Sequence, residues 1–318
     1  MNAFPDRRYF AHVARETGFR AGPLETVFRL IELLQRIDDT FGDELSLRGG
    51  TALNLLHLDV PRLSVDIDLD FIGTADGEEA QRRRPELLTQ LEALGRAAGY
   101  EVAHERASYA MAHLRLRYGD AAGRPAMLKL DVNFLDRVPV LPPVRLPVRH
   151  PFGDDVPATT VQTLALPELA AAKTIALVRR TLARDLFDVA LLSTLAHLDD
   201  DLLRSALVVR GASYPPPSPA DYSAGVVERV RPASWRSEVV ALARRPVPLE
   251  LEAARTLAAG LIRRSTVFTD GQREFLRFVE QGEIRPELLP ASITADRVRA
   301  NPGLLWRLRA GADASEER

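Results

Sequence analysis

The sequence predicts an α/β half followed by a mainly α-helical half. Three observations carry that prediction. Residues 64–71 and 128–134 alternate strictly between polar and apolar side chains, the period of a half-buried strand. Residues 24–39 place Val27, Leu30, Ile31, Leu34 and Ile37 at helical spacing, one apolar stripe of an amphipathic helix. Beyond Pro167 the run "ELAAAKTIALVRRTLARDLFDVALLSTLA" is made of helix-forming residues. At 318 residues, 46% hydrophobic and 27% charged, the chain is long enough for two cores.

The elements follow in order. After the helix over 24–39 and a Gly42-Asp43 turn, "LSLRGG" reads as a short strand entering a tight glycine turn. "TALNLLHL" reads as a helix capped by Thr51. "LSVDIDLDF" is the next strand, with Val65, Ile67, Leu69 and Phe71 on one side and Ser64, Asp66, Asp68 and Asp70 on the other. Glu78 to Gly99 is helical in composition, and "YEVAHERAS" with "AHLRLRYGD" reads as a hairpin closed near Gly119 and Gly123. In "AMLKLDVNF" Lys129, Asp131 and Asn133 share the polar side. Five prolines between Arg137 and Pro157 mark an edge segment or connector. "SYPPPSPADYS", residues 213–223, reads as a polyproline-like linker or loop within the helical remainder.

Composition narrows the function classes. Cysteine is absent, so any metal must be held by oxygen or imidazole, and a reducing cytoplasm is the expected compartment. The N-terminus carries charges throughout and no run approaches the roughly 18 apolar residues of a membrane span, so neither export nor insertion is expected. A formal net charge of −2 gives no general attraction to nucleic acid, and an RNA partner would need a local basic patch. Arg82-Arg83-Arg84, Arg115 with Arg117, and Arg179 with Arg180 are candidates, each equally readable as a solvated surface run. Lysine occurs only at 129 and 173 in a chain otherwise built with arginine.

Three aspartates on one strand face, at roughly 7 Å spacing, repel each other and raise each other's pKa values. A solvated face screened by water is one reading. A calcium loop fails on spacing, because counting from Asp66 the sixth position is Phe71 and the twelfth is Gly77, where glycine and glutamate are required. The third reading is Mg²⁺ held by Asp66 and Asp68, with Asp131 supplied by a neighbouring strand. Gly49-Gly50-Thr51 lies about fifteen residues upstream of the pair, and a glycine turn opening a helix offers N–H groups and a positive dipole end to phosphate. On the later helix, ideal geometry puts Lys173, Arg180 and Arg184 within roughly 40° of each other and Asp188 about 60° from Lys173. Lys173 sits among small apolar neighbours and needs an anionic partner there, either a nucleotide phosphate or Asp188. Asp185 is left outside the catalytic set as a local ion-pair former.

"LRGGTALNLLHLDVPRLSVDIDL", with Gly49-Gly50-Thr51 and Asp66-Ile67-Asp68, resembles the first motif of the nucleotidyltransferase-like toxins of the AbiEii group, within the DNA polymerase β-type superfamily. Lys173, Ala176, Arg180, Arg184-Asp185 and Asp188 follow in the order of the group's next signature, and "NPGLLWRL", 301–308, resembles a further segment. Arg48 and Arg307 depart from the group's pattern. The resemblance implies a nucleotidyltransferase-fold domain, a mixed sheet with flanking helices, over 1–157, and a helical domain over 158–318 contributing Lys173 and Asp188 to the site. It implies a nucleoside triphosphate (NTP) whose phosphates lie at Gly49, Gly50 and Thr51, with Ser64, Lys173 and Arg180 also binding nucleotide. One or two Mg²⁺ ions are expected on Asp66, Asp68 and Asp131. Asp66, Asp68, Asp131, Lys173 and Asp188 form the expected catalytic set, and Asp70 is left to solvent or an arginine. The activity implied is transfer of a nucleotide to an RNA end, with tRNA as the expected acceptor, by a toxin whose cognate antitoxin is encoded nearby. A phosphate on Ser64 would add charge beside the metal. Two rivals stay open: transfer to a small molecule or protein, and a non-catalytic nucleotide-binding regulatory protein.

Overall fold

The structure is a computed structural model that describes residues 4–105 and 108–316. They group into two compact units. The first comprises Met1–Leu135, Val144–Thr163 and Val239–Pro248, and the second Asp136–Pro143, Leu164–Glu238 and Leu249–Arg318. The chain passes between the units several times.

The first unit is built on a seven-stranded sheet. Helices α1 (Arg7–Thr17) and α2 (Ala21–Phe41) lead into β1 (Leu45–Arg48). Next come the short helix α3 (Gly49–Ala52), which widens into a π-turn over Leu53–His57, then β2 (Asp66–Phe71) and α4 (Gly77–Ala97). Strands β3 (Glu101–His104), β4 (Met111–Gly119), β5 (Pro125–Asn133), β6 (Val144–Pro147) and β7 (Thr160–Thr163) complete it, in the spatial order β3-β4-β5-β2-β1-β7-β6. The sheet is mixed: β2 runs parallel to β5 and β1 to β7, and the other pairs are antiparallel. Its apolar face carries Ile67, Leu69, Leu114, Leu116, Leu128, Leu130 and Val132, all buried. Helix α2 packs on β2 and β7 and buries Leu24, Val27, Leu30 and Ile31 completely, each worth roughly 1.5–3 kcal/mol relative to exposure.

Several local expectations are corrected. The strand begins at Asp66, so Ser64 precedes it and does not share its polar face. Arg48, in extended conformation, is the N-cap of α3, and Thr51 lies inside the helix instead of capping it. The turn through Gly119 and Gly123 joins β4 to β5, with Asp120 binding the Ala122 and Arg124 amides; β3 and β4 are joined earlier, before Met111. The proline-rich connector does contribute β6, at the sheet edge, where a missing N–H is tolerated.

The described elements of the second unit are helical. They include α5 (Leu166–Arg180), α6 (Ala183–Leu192), α7 (Asp200–Ala212), α8 (Pro232–Ser234), α9 (Leu251–Ser265), α10 (Asp270–Glu280), α11 (Ala295–Arg299) and α12 (Pro302–Glu316). The expected single run after Pro167 breaks at Thr181, which takes a left-handed conformation with φ 50° and sends its N–H to the Leu177 carbonyl. Helix α6 then starts and folds back on α5. Glu168, fully buried, accepts hydrogen bonds from the Val140 and Leu141 amides at 3.0 and 2.9 Å and from Arg210 at 2.8 Å, which fastens segment 136–143 to this unit.

Candidate functional site

The polar face of the sheet is organised by register. Arg48 on β1 stands opposite Asp68 on β2, Asp68 is the partner of Asp131 on β5, and Asp131 that of His113 on β4. Neighbouring strands lie about 4.8 Å apart, so these four side chains form one row. The next row holds Asp66, Lys129 and Arg115, and a third holds Ser46, Asp70 and Asn133. Acidic positions are thus interleaved with basic ones, and much of the like-charge repulsion expected from β2 alone is relieved by neighbouring strands.

Each aspartate has a different environment. Asp70 is fully buried; Arg48 Nε lies 3.1 Å from its Oδ1, and Asn133 Nδ2 donates to the same oxygen at 2.9 Å. Of the two fates expected for Asp70, the arginine is the one observed. Asp131 Oδ1 receives Arg115 Nη1 at 2.9 Å and has His113 Nδ1 at 3.0 Å. Burial alone would lower the Arg115 pKa, but its bonds to Asp131 and Glu105 outweigh that and hold it above its ordinary value. Asp66 and Asp68 remain partly exposed at the start of β2.

The glycine turn meets this strand directly. Gly49 has φ +74°, and a Cβ there would stand 2.5 Å from Asp68 Oδ2. Only glycine satisfies both the left-handed backbone and the close carboxylate. Thr51 Oγ1 donates to the Asp66 carbonyl at 2.5 Å, so the first turn of α3 is tied to the residue that opens the acidic strand. Turn and carboxylate pair, separate in sequence, are one place in the first unit.

The residues fit a divalent cation. Mg²⁺ is usually held by one or two carboxylates, with substrate phosphates and water completing its shell, and Asp66 with Asp68 beside the glycine turn is a donor set of that kind. Among the described residues no three carboxylate or imidazole groups gather as a ready-made cage; Asp131, expected as the third ligand, is held by Arg115 and His113.

A second cluster lies within the second unit. Lys173 Nζ is 2.8 Å from Asp188 Oδ2 and 3.2 Å from Asp185 Oδ1, with both carboxylates fully buried and the lysine nearly so. Arg180 grips Asp185 with two N–H groups at 2.6 and 2.9 Å. The pairing comes from the fold-back of α6 on α5 and not from one continuous helix face; Arg184 is exposed outside it. Burial alone would raise the Asp185 pKa, but the charges of Lys173 and Arg180 and the Arg180 hydrogen bond outweigh it, and the carboxyl titrates below its ordinary value.

Sequence reasoning missed Asp185 as the centre of this cluster, and it missed His113 and Arg115 as the partners of Asp131. The last two had a signal: "AHLRLRYGD" alternates, with His113, Arg115 and Arg117 on its polar side.

A protein-family model described as nucleotidyl transferase AbiEii toxin, type IV toxin–antitoxin system, matches residues 32–281. Among solved structures the chain is similar to MenT4, the nucleotidyltransferase toxin Rv2826c of Mycobacterium tuberculosis H37Rv, at 21% identity and a TM-score of 0.63. That similarity covers 94% of this chain and 98% of the other, and it is a likeness of fold. No curated protein matches the chain. No described helix is long and apolar enough to cross a membrane.

Proposed function

The chain belongs to the AbiEii nucleotidyltransferase toxin family of type IV toxin–antitoxin systems, and on that premise we propose that it transfers a nucleotide from an NTP to a hydroxyl of RNA, the tRNA 3′ end being the favoured acceptor. The observation that supports this reading is the contact of the Gly49 turn with Asp68, a glycine turn that opens a helix beside a carboxylate pair. Gly49, Gly50 and Thr51 receive the triphosphate through backbone N–H groups. Asp66 and Asp68 hold Mg²⁺, which when bound neutralises phosphate charge and favours the leaving pyrophosphate. Asp131, held by Arg115 and His113, accepts a hydrogen bond from the acceptor hydroxyl and orients it. The acceptor oxygen gives up its proton to Asp131, which passes it to solvent, and forms a bond to the α-phosphorus as the bond to the β-phosphate oxygen breaks, and pyrophosphate leaves. Positioning and electrostatics supply most of the acceleration.

In the first unit Ser64, just before β2, contacts the nucleotide. In the second unit Lys173, held by Asp188 and Asp185, and Arg180, anchored through Asp185, form a basic cluster of their own whose charge suits an anionic group, with Asp188 positioning Lys173.

The test is incubation of the full chain with Mg²⁺, each α-³²P-labelled NTP and total RNA. Label is expected on RNA, with loss of at least about 10²-fold in Asp68→Ala, the scale of removing a stabilising group from a preorganised site. Label on protein or a small molecule, or equal labelling by Asp68→Ala and wild type, overturns the reading.

A further inference from the structure

Away from the acidic strand, the first unit contains a cleft of about 500 Å³ whose walls include Arg15, Arg149, Arg244 and Arg245. All four are exposed, and none forms an ion pair among the described residues. Elsewhere Arg83, Arg115 and Arg210 each grip a carboxylate. Two carboxylates, Glu16 and Asp59, also line the cleft, and Glu16 has His12 at 3.3 Å. His150, on the same wall, is kept below its ordinary pKa by burial, so the positive charge there comes from guanidinium groups. A chain of net charge −2 has concentrated unpaired arginine at one concave place, where low-dielectric walls focus the field on an anion.

The cleft is built, not accidental. Arg245 N–H donates to the Gly18 carbonyl at 3.1 Å, Arg244 N–H to the Pro61 carbonyl at 3.1 Å and Arg149 N–H to the Leu55 carbonyl at 2.7 Å. Gly18, left-handed at φ 77°, leaves no room for a Cβ, which would stand 2.5 Å from the Arg245 carbonyl oxygen. Four remote segments, around residues 15–18, 55–61, 149 and 244–245, are thus stitched by backbone bonds, and the arginines of three of them line one cleft. One of those bonds ends on the helical segment that begins at Gly49: Leu55 is six residues on, on the order of 9 Å along a helix axis. The cleft is therefore a short way along that segment from the glycine turn.

We propose that this cleft grips the phosphodiester backbone of the RNA substrate, holding the strand that leads away from its reacting end; this rests on RNA being the acceptor. The arginine fork suits phosphate oxygens in two parallel bonds. Phosphate contacts position a strand without reading its sequence, so the cleft contributes affinity and register, not base preference.

The test is a fluorescence-anisotropy titration of the full chain with an end-labelled RNA hairpin bearing a single-stranded 3′ end, across a salt series. The variant is Arg149→Glu/Arg244→Glu, at exposed positions whose side chains make no hydrogen bond to lose. RNA affinity is expected to fall roughly tenfold or more, with the salt slope shallower by about 0.7 for each phosphate that the variant no longer neutralises. Unchanged affinity and slope overturn the proposal, as does wild-type protein that binds polyglutamate but no RNA, which would make the cleft a seat for an acidic protein surface. Label transfer measured on the same samples separates the two readings. RNA labelled normally by a variant with unaltered binding removes the cleft and leaves the acceptor reading standing. RNA bound through the cleft but never labelled supports the cleft and removes the acceptor reading.

Discussion

Gly49 and Asp68 touch: a Cβ at residue 49 would stand 2.5 Å from the Asp68 carboxylate oxygen, on a backbone with φ +74°. Gly49→Ala therefore meets two penalties, a left-handed conformation costing roughly 1–2 kcal/mol for an L side chain and a clash that only displacement of Asp68 relieves. The variant is expected to melt several degrees lower by calorimetry and to lose triphosphate binding, measured by isothermal titration, by more than the stability change explains. Wild-type binding in a folded Gly49→Ala protein would show that the contact has no part in nucleotide recognition.

Lys173, Asp185 and Asp188 predict an acid-dependent stability. The Asp185 pKa is lower in the folded than in the unfolded chain, so its contribution is fully present above the unfolded value near 3.9 and is lost as pH falls through the folded value. Asp185→Asn leaves a buried lysine with one carboxylate, and a loss of about 3–5 kcal/mol at pH 7 is expected from breaking such a pair. Denaturant titrations of wild type and variant should run parallel from pH 7 to about 4 and converge below that. A constant offset down to pH 2 would assign the loss to packing instead of charge.

Arg48 stands beside the fully buried Asp70. Arg48→Ala removes that positive partner, at an expected cost of about 2–4 kcal/mol. Asp70→Asn introduced in the Arg48→Ala background should recover part of it, because the buried charge is then gone. A double-mutant cycle by chemical denaturation measures this, and additive losses would mean that the two groups do not interact.

Strand and helix periods were legible in the sequence because they are local: alternation placed Asp66, Asp68 and Asp131 on polar faces, and apolar spacing found α2. The Gly49 turn was legible for the same reason, since glycine pairs mark special backbone. Tertiary structure alone decided the partners. Register across the β1–β2 and β4–β5 pairs set Arg48 beside Asp70 and Arg115 with His113 on Asp131, and the pairing of the non-consecutive strands β2 and β5 set Asp68 beside Asp131; no local pattern encodes that register. A single residue, Thr181, entering the left-handed region broke an otherwise continuous helical run, because tertiary packing of α6 on α5 overrides helix propensity. That break brought Asp185 and Asp188 onto Lys173, a pairing that the one-helix projection had approximated for Asp188 and missed for Asp185. Sequence by itself determined which residue types are available for phosphate and metal chemistry; the folded chain decided which charges are already spent on each other.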